Sequence, residues 1–288
     1  MPCLRAPVER IDAAWNHGRD RDVRIAELQK AKVAVFGCGS VGAPVATMLA
    51  EAGVGHLLLV DKDTLAAANV GRHPLGIDAL GRHKSEALAL LLRKCYPHLC
   101  IDYEVSSVED LLLSNSKQIE GVDLIVSALG SWPAEALLDQ WHSSSAAPPA
   151  IVYGWTEPHA AAGQAVVLKG DGARLRDGLD ETGTPLLQVT EWSEDMNLRA
   201  EPACGAFFQP YGPIEVGYIN NMIGELCLDV LLDQVDDATH RIWAARDSLL
   251  ASAGGQWTER WTSIMNEERG RQGGIFERRW AAETLRAN

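Results

Sequence analysis

Six residues constrain this chain more than any others. Gly37-Cys-Gly39-Ser-Val-Gly42 is a GxGxxG turn set between the apolar run Lys32–Phe36 (KVAVF) and the helical spacing of Pro44–Gly53. An uninterrupted apolar run this short is a strand buried on both faces, as in a parallel sheet. The first glycine permits the sharp turn, the second lets a phosphate approach the backbone, and the third packs helix on sheet. The helix that follows offers unpaired N–H groups and a positive dipole to an anion. His56–Val60 (HLLLV) repeats the strand pattern and ends at Asp61, 19 positions after Gly42, where an acid can bond a ribose hydroxyl. On these residues alone NAD and ATP are not separable.

The rest of the first half continues the alternation. Lys84–Tyr96 reads as an amphipathic helix stopped by Pro97, Cys100–Val105 as a strand, Val108–Asn115 as a short helix and Asp123–Leu129 as another buried strand. This predicts an α/β, Rossmann-like, doubly wound and mostly parallel sheet. In the second half Ala150–Tyr153 and Gly163–Leu168 suit strands, 169–212 is rich in loop residues, and Ile214–Leu232 is a long helix. The tail 236–288, with tryptophans at 243, 257, 261 and 280, suits a hairpin with a flanking helix. No repeat or linker divides the chain. The expectation is therefore one domain of 1–288, with an N-terminal helical segment (1–31), a nucleotide-binding half (32–150), a crossover loop and substrate half that completes the sheet (151–235), and a C-terminal extension (236–288).

Composition excludes several classes. The net charge of −13, from 26 basic and 39 acidic residues, repels a nucleic-acid backbone, and no dense basic run offsets it. No apolar run is long enough for a membrane span. The first residues lack the charged-then-apolar order of a signal peptide, so the expected compartment is the cytoplasm. The six cysteines include no CxxC pair, which argues against a disulfide framework or a structural zinc site. Cys227, in MIGELCLDVLL, reads as a core residue.

The loop after the second strand bears on ATP versus NAD. It runs Asp61-Lys-Asp63-Thr-Leu-Ala-Ala-Ala-Asn69-Val-Gly-Arg72-His73 and later Gly81-Arg-His-Lys84. Hydride transfer needs neither an Arg nor a Lys there. Adenylation does, because attack of a carboxylate on an α-phosphate builds negative charge there and on the departing pyrophosphate, and preorganised cations lower that barrier. Lys84 is also disfavoured by the dipole of the helix it opens, which makes sense if an anion lies before it.

With its D-x-D, N-x-x-R and G-x-x-K in this order, the chain resembles the ubiquitin-activating-enzyme-like (ThiF/MoeB/HesA) family of ATP-dependent adenylating enzymes. With CGAFFQPYG it looks most like the bacterial activating domains of antiphage ubiquitin-like conjugation operons. The resemblance implies an ATP-dependent adenylyltransferase using ATP and Mg2+. Asp61 would hold the ribose, Asn69, Arg72 and Lys84 would contact phosphates, and Asp63 would orient the loop or assist the metal. Gly37, Gly39 and Gly42 would cradle the nucleotide. It further implies a homodimer, a ubiquitin-like protein as substrate, a ubiquitin-conjugating-like protein as a further partner, and a loop cysteine that takes the activated protein as a thioester. Cys204, in Glu201-Pro-Ala-Cys204-Gly-Ala-Phe-Phe-Gln-Pro-Tyr-Gly-Pro213, stands in that place.

Two departures from the family pattern matter: the CxxC pairs that hold a structural zinc in many relatives are missing, and so are the strand-end acids. The family's acids at the end of the fourth strand are replaced here by Ser127 and Gly130, and Asp123 is at the wrong end, since ligands gather at the carboxyl ends of strands. The arginine that relatives supply across a dimer has three upstream candidates, Arg10, Arg19 and Arg21. An NAD-dependent oxidoreductase on the same glycine loop and a catalytically impaired scaffold are the competing readings.

Overall fold

The apolar runs assemble side by side into one eight-stranded sheet. The computed structural model describes residues 8–170, 172–193, 199–200, 207–208, 211–265 and 273–280; Cys204 lies outside them. The strands are β1 (Lys32–Phe36), β2 (His56–Val60), β3 (Cys100–Glu104), β4 (Leu124–Ser127), β5 (Ala150–Thr156), β6 (Ala162–Leu168), β7 (Thr239–Ala244) and β8 (Gly274–Arg279). Their order across the sheet is β8-β7-β6-β5-β4-β1-β2-β3. Strands β1 to β5 pair in parallel, and β6, β7 and β8 add antiparallel. The fold is thus α/β with a Rossmann-like first half, and the second half completes the sheet. Its chain-order reversal falls between β1 and β4, so the crevice where such folds bind ligands lies at the carboxyl ends of these two strands.

Five helices cover the faces: α1 (Gly42–Glu51), α2 (Lys84–Cys95), α3 (Val108–Asn115), α4 (Trp132–Ser144) and α5 (Pro213–Leu231). The period-two alternation of each strand divides the core. Val33, Val35, Leu57, Leu59 and Val126 face Val45 and Leu49 of α1, Leu88 and Leu92 of α2, and Ile219, Ile223 and Cys227 of α5. Ala34, Phe36, Val60, Ile125 and Tyr153 face Val108 and Leu111 of α3 and Leu138 of α4. Cys227 is fully buried, as its apolar surroundings predict. Among the described residues, no helix is long and apolar enough to cross a membrane.

The structure adds α4 in a stretch to which the sequence pattern gives no element. Its buried positions are Ala134, Leu138, Asp139 and His142, so two polar residues interrupt the apolar stripe that would mark it. Asp139 is held there by the Leu175 N–H at 2.8 Å and by Arg176 Nε at 3.2 Å. In the tail, β7 and β8 do pair antiparallel, with helices Asp247–Ala253 and Glu259–Ile264 between them. Trp280 is buried at the end of β8, edge-on to Trp155 and His240.

The glycine turn is tight. A Cβ on Gly42 would stand 1.8 Å from the Gly37 carbonyl oxygen, whereas one on Gly39 would meet nothing within 4 Å. Gly42→Ala should therefore destabilise the fold by about 1–3 kcal/mol or more through overpacking. Gly39→Ala should stay within about 0.5 kcal/mol of wild type. Urea unfolding of both variants checks this.

Candidate functional site

Where β1 and β4 part, a cavity of about 550 Å³ opens beside the glycine turn. Its floor is Phe36, Gly37 and Gly39. Asp61, Asp63 and Lys84 line one side, Ser107 and Val108 another, and Ala128 to Ser131 a third. Gly37 has φ +85°, and a Cβ there would lie 2.6 Å from the Ala128 carbonyl oxygen, so only glycine lets the β1 turn run this close to β4.

Three interactions fix the turn. Asp61 Oδ2 accepts the Cys38 N–H at 2.6 Å, and Oδ1 accepts the Asp63 N–H at 2.7 Å. Each oxygen keeps a further lone pair for a ligand hydroxyl. His73 Nδ1 accepts the Leu75 N–H at 3.1 Å, so its Nε2 donates to the Cys38 carbonyl at 2.8 Å. Burial lowers the His73 pKa, which keeps this neutral pattern. From the second half, Asn220 Nδ2 donates to the Ser40 carbonyl at 3.0 Å.

The loop from 61 to 84 folds back on itself. Leu65 N–H donates to Arg82 O at 2.8 Å and Lys84 N–H to Asp63 O at 2.9 Å. The first residue of α2 therefore lands beside the D-x-D acids. Lys84 is buried, 9% exposed, and its Nζ lies 3.1 Å from Asp63 Oδ2. It does not point into solvent as an ordinary first-turn lysine would. Next to it, the Ser85 hydroxyl bonds both Asp61 O and Glu104 O and ties the ends of β2 and β3 together.

Of the residues picked from sequence, the structure brings Gly37, Gly39, Asp61, Asp63 and Lys84 to one cavity, with Gly42 directly behind the turn. Asn69 and Arg72 stand outside its lining. Asn69 Oδ1 accepts the Ala66 N–H at 3.0 Å and caps the short 3-10 helix Ala67–Arg72. Arg72 lies behind Tyr211, its guanidinium carbon 4.7 Å from the ring centre. Arg10 is bound to Asp12 and Asp20.

Several residues of the site carry no sequence signal that spacing could detect. Tyr211 lines the cavity and bonds Ser40, and Asn220 sits buried within an apolar helix. Glu135, in the first turn of α4, lies behind Ser127 and Gly130. Burial raises its pKa to about 7, while the Gly130 N–H and the Ser127 hydroxyl at 3.4 Å act in the opposite direction. It occupies the neighbourhood in which the family's strand-end acids are replaced.

Among the described residues no group of three or more His, Cys, Asp or Glu side chains is placed to hold a metal. Mg2+ typically keeps waters and leans on one or two carboxylates plus phosphates, and the carboxylates lining this cavity that could serve it beside the ligand are Asp61, Asp63 and Glu109.

The fold is Rossmann-like, with an open cavity at the carboxyl ends of β1 and β4. The ThiF family profile matches residues 18–240, and the chain belongs to this family of E1-like adenylating enzymes. It is 24% identical over 226 residues to the ATP-dependent ubiquitin transferase-like protein Cap2 of Escherichia coli (strain TW11681), which covers 73% of this chain and 36% of that protein. It is 30% identical over 160 residues to the SAMP-activating enzyme E1 of Haloferax volcanii, covering 55% of this chain and 57% of that one. The chain thus spans about a third to somewhat over half the length of these relatives. The solved structure of E. coli MccB with ATP shares the fold, with a TM-score of 0.60 at 13% identity over 90% of this chain and 66% of that chain.

Glu135 gives a pH test. A carboxyl raised from 4.5 to about 7 in the fold binds more protons in the native than in the unfolded state across that window. Its contribution to stability is therefore full below about pH 4.5 and is lost as pH rises through 7. A tenfold difference in proton affinity between the two states corresponds to about 1.4 kcal/mol. Glu135→Gln should gain roughly 2–3 kcal/mol on wild type between pH 4.5 and 8, read as urea midpoints against pH. Parallel profiles would contradict this assignment.

Proposed function

We propose that this chain uses ATP to adenylate the C-terminal carboxylate of a ubiquitin-like protein and then takes it onto Cys204 as a thioester. The observation that carries the reading is Lys84: a buried cation at the start of a helix, against the dipole, with its ammonium beside the glycine turn. Such a cation is suited to an anionic ligand and has no role in hydride transfer. A substrate carboxylate oxygen attacks the α-phosphorus, the bond to the bridging oxygen breaks, and pyrophosphate leaves. Lys84 steadies the phosphate charge and Asp61 holds the ribose. Bound Mg2+ would supply further neutralisation of the leaving charge. The Cys204 thiolate then attacks the acyl carbon and AMP departs.

The names of two relatives, a ubiquitin transferase-like protein and a SAMP-activating enzyme E1, support a protein substrate over a small molecule. The Cap2 likeness also supports a place in antiphage conjugation. A homodimer in which one of Arg10, Arg19 or Arg21 reaches the partner's site belongs to the same reading, as does a ubiquitin-conjugating-like protein downstream. A second reading, a nucleotide-binding scaffold, is favoured by Ser127 and Gly130 in the places of acids.

ATP should raise the thermal midpoint while NAD does not, because only a ligand of the native state stabilises it by mass action. Lys84→Ala should reduce ATP–pyrophosphate exchange by about 10²-fold or more. Exchange is measured with a ubiquitin-like protein ending in a free C-terminal carboxylate as the substrate. Nucleotide binding without exchange in the wild-type protein supports the scaffold.

Cys204 is tested separately. With MgATP and the ubiquitin-like protein, the wild type should form an adduct that a thiol reductant removes. Cys204→Ala should abolish the adduct yet leave exchange nearly intact. An adduct that survives this change but is lost with Cys38, Cys95 or Cys227 would reassign the acceptor.

A further inference from the structure

The adenylation reading puts Arg72 on the phosphates, yet here it stacks on Tyr211 and does not line the nucleotide cavity. Tyr211 lines the nucleotide cavity, whereas Arg72 lines a second cavity of about 320 Å³ together with Pro213, Val216 and Asn220. Its hydroxyl pairs with Ser40 Oγ at 2.5 Å, inside the glycine turn. Its ring carries the Arg72 guanidinium, 4.7 Å from the ring centre.

Arg72 is poorly satisfied there. Its one hydrogen bond among the described residues goes to the Ala68 carbonyl at 3.4 Å, its Nε is buried without a partner, and no described carboxylate pairs with it. A half-buried guanidinium in that state lacks an anion. Tyr211, on which it stacks, lines the cavity suited to a triphosphate, and Arg72 does not.

We propose that Tyr211 is a positioning residue that holds Arg72 outside the nucleotide cavity until the β- and γ-phosphates of ATP displace it. This rests on the adenylation reading. A phosphate oxygen arriving at the glycine turn competes for the Ser40 hydroxyl. Loss of the Ser40–Tyr211 bond frees the ring to turn, and the guanidinium behind it moves onto the phosphates. AMP, which lacks the outer phosphates, gives Arg72 nothing to meet.

The test is a mutant cycle on the full chain, with Kd for MgATP and for AMP measured by calorimetry. Tyr211→Ala should tighten MgATP about tenfold, since a hydrogen bond and a cation–π contact no longer have to be broken. AMP should change less than about twofold. In an Arg72→Ala background the gain for MgATP should shrink to under about threefold, because the released group is absent. Tyr211→Phe keeps the ring and its packing while losing the Ser40 pair. It should give a gain of about fivefold that also shrinks in the Arg72→Ala background, and it decides the matter if Tyr211→Ala does not fold. Weaker or unchanged MgATP binding in the Tyr211 variants, or equal gains in both backgrounds, overturns the proposal while leaving adenylation standing. Failure of the wild type to bind MgATP at all removes both.

Discussion

The approach of the Gly42 backbone to the Gly37 carbonyl sets the spacing of everything at the carboxyl end of the sheet. With no Cβ at 42, α1 starts directly against the β1 turn, and with none at 37 that turn lies against the end of β4. The crevice formed by the strand-order reversal stays open at Gly39, where an added Cβ would meet nothing within 4 Å. Asp61 and His73 then hold the Cys38 peptide from both sides, one receiving its N–H and the other donating to its carbonyl. The turn is rigid because its backbone groups are already paired, and it leaves the helix N-terminus facing the cavity.

Around that turn the charges are arranged locally, against the sign of the whole chain. A net charge of −13 disfavours long anionic polymers, yet the cavity has a buried lysine beside it and an arginine one ring away. Lys84 is held in place by the fold of the 61–84 loop and by Asp63, so its position is preset before any ligand arrives. Arg72 is held by stacking on Tyr211 and one long hydrogen bond, a looser arrangement than that of Lys84. Ser40 is bonded by Tyr211, just before α5, and by Asn220 within it, so the second half of the chain is in contact with the glycine turn.

Much of this was legible in the sequence. β1 and β2 read correctly residue for residue, because parallel strands buried on both faces appear as unbroken apolar runs. Gly37, Gly39 and Asp61 were picked from spacing and Lys84 from the resemblance, and the structure brings all four to one cavity. What stayed hidden has specific causes. Helix α4 buries Asp139 and His142 among its apolar positions, which erases the amphipathic period. Tyr211 and Asn220 reach the site from some 170 residues away, a closeness that only the folded sheet creates. Arg72 was legible as a cation in the right loop, but its place behind Tyr211 depends on packing that no local pattern encodes.

The central claim is that the cavity above Gly39 receives the phosphates of ATP between the helix N-terminus and Lys84. A crystal structure of the chain with a non-hydrolysable ATP analogue and Mg2+ tests it most directly. Phosphate oxygens should lie within about 3 Å of the Gly39 backbone N–H and of Lys84 Nζ, with the ribose hydroxyls on Asp61. Phosphates bound elsewhere, or a nucleotide seated in the cavity with Lys84 still paired only to Asp63, would contradict it.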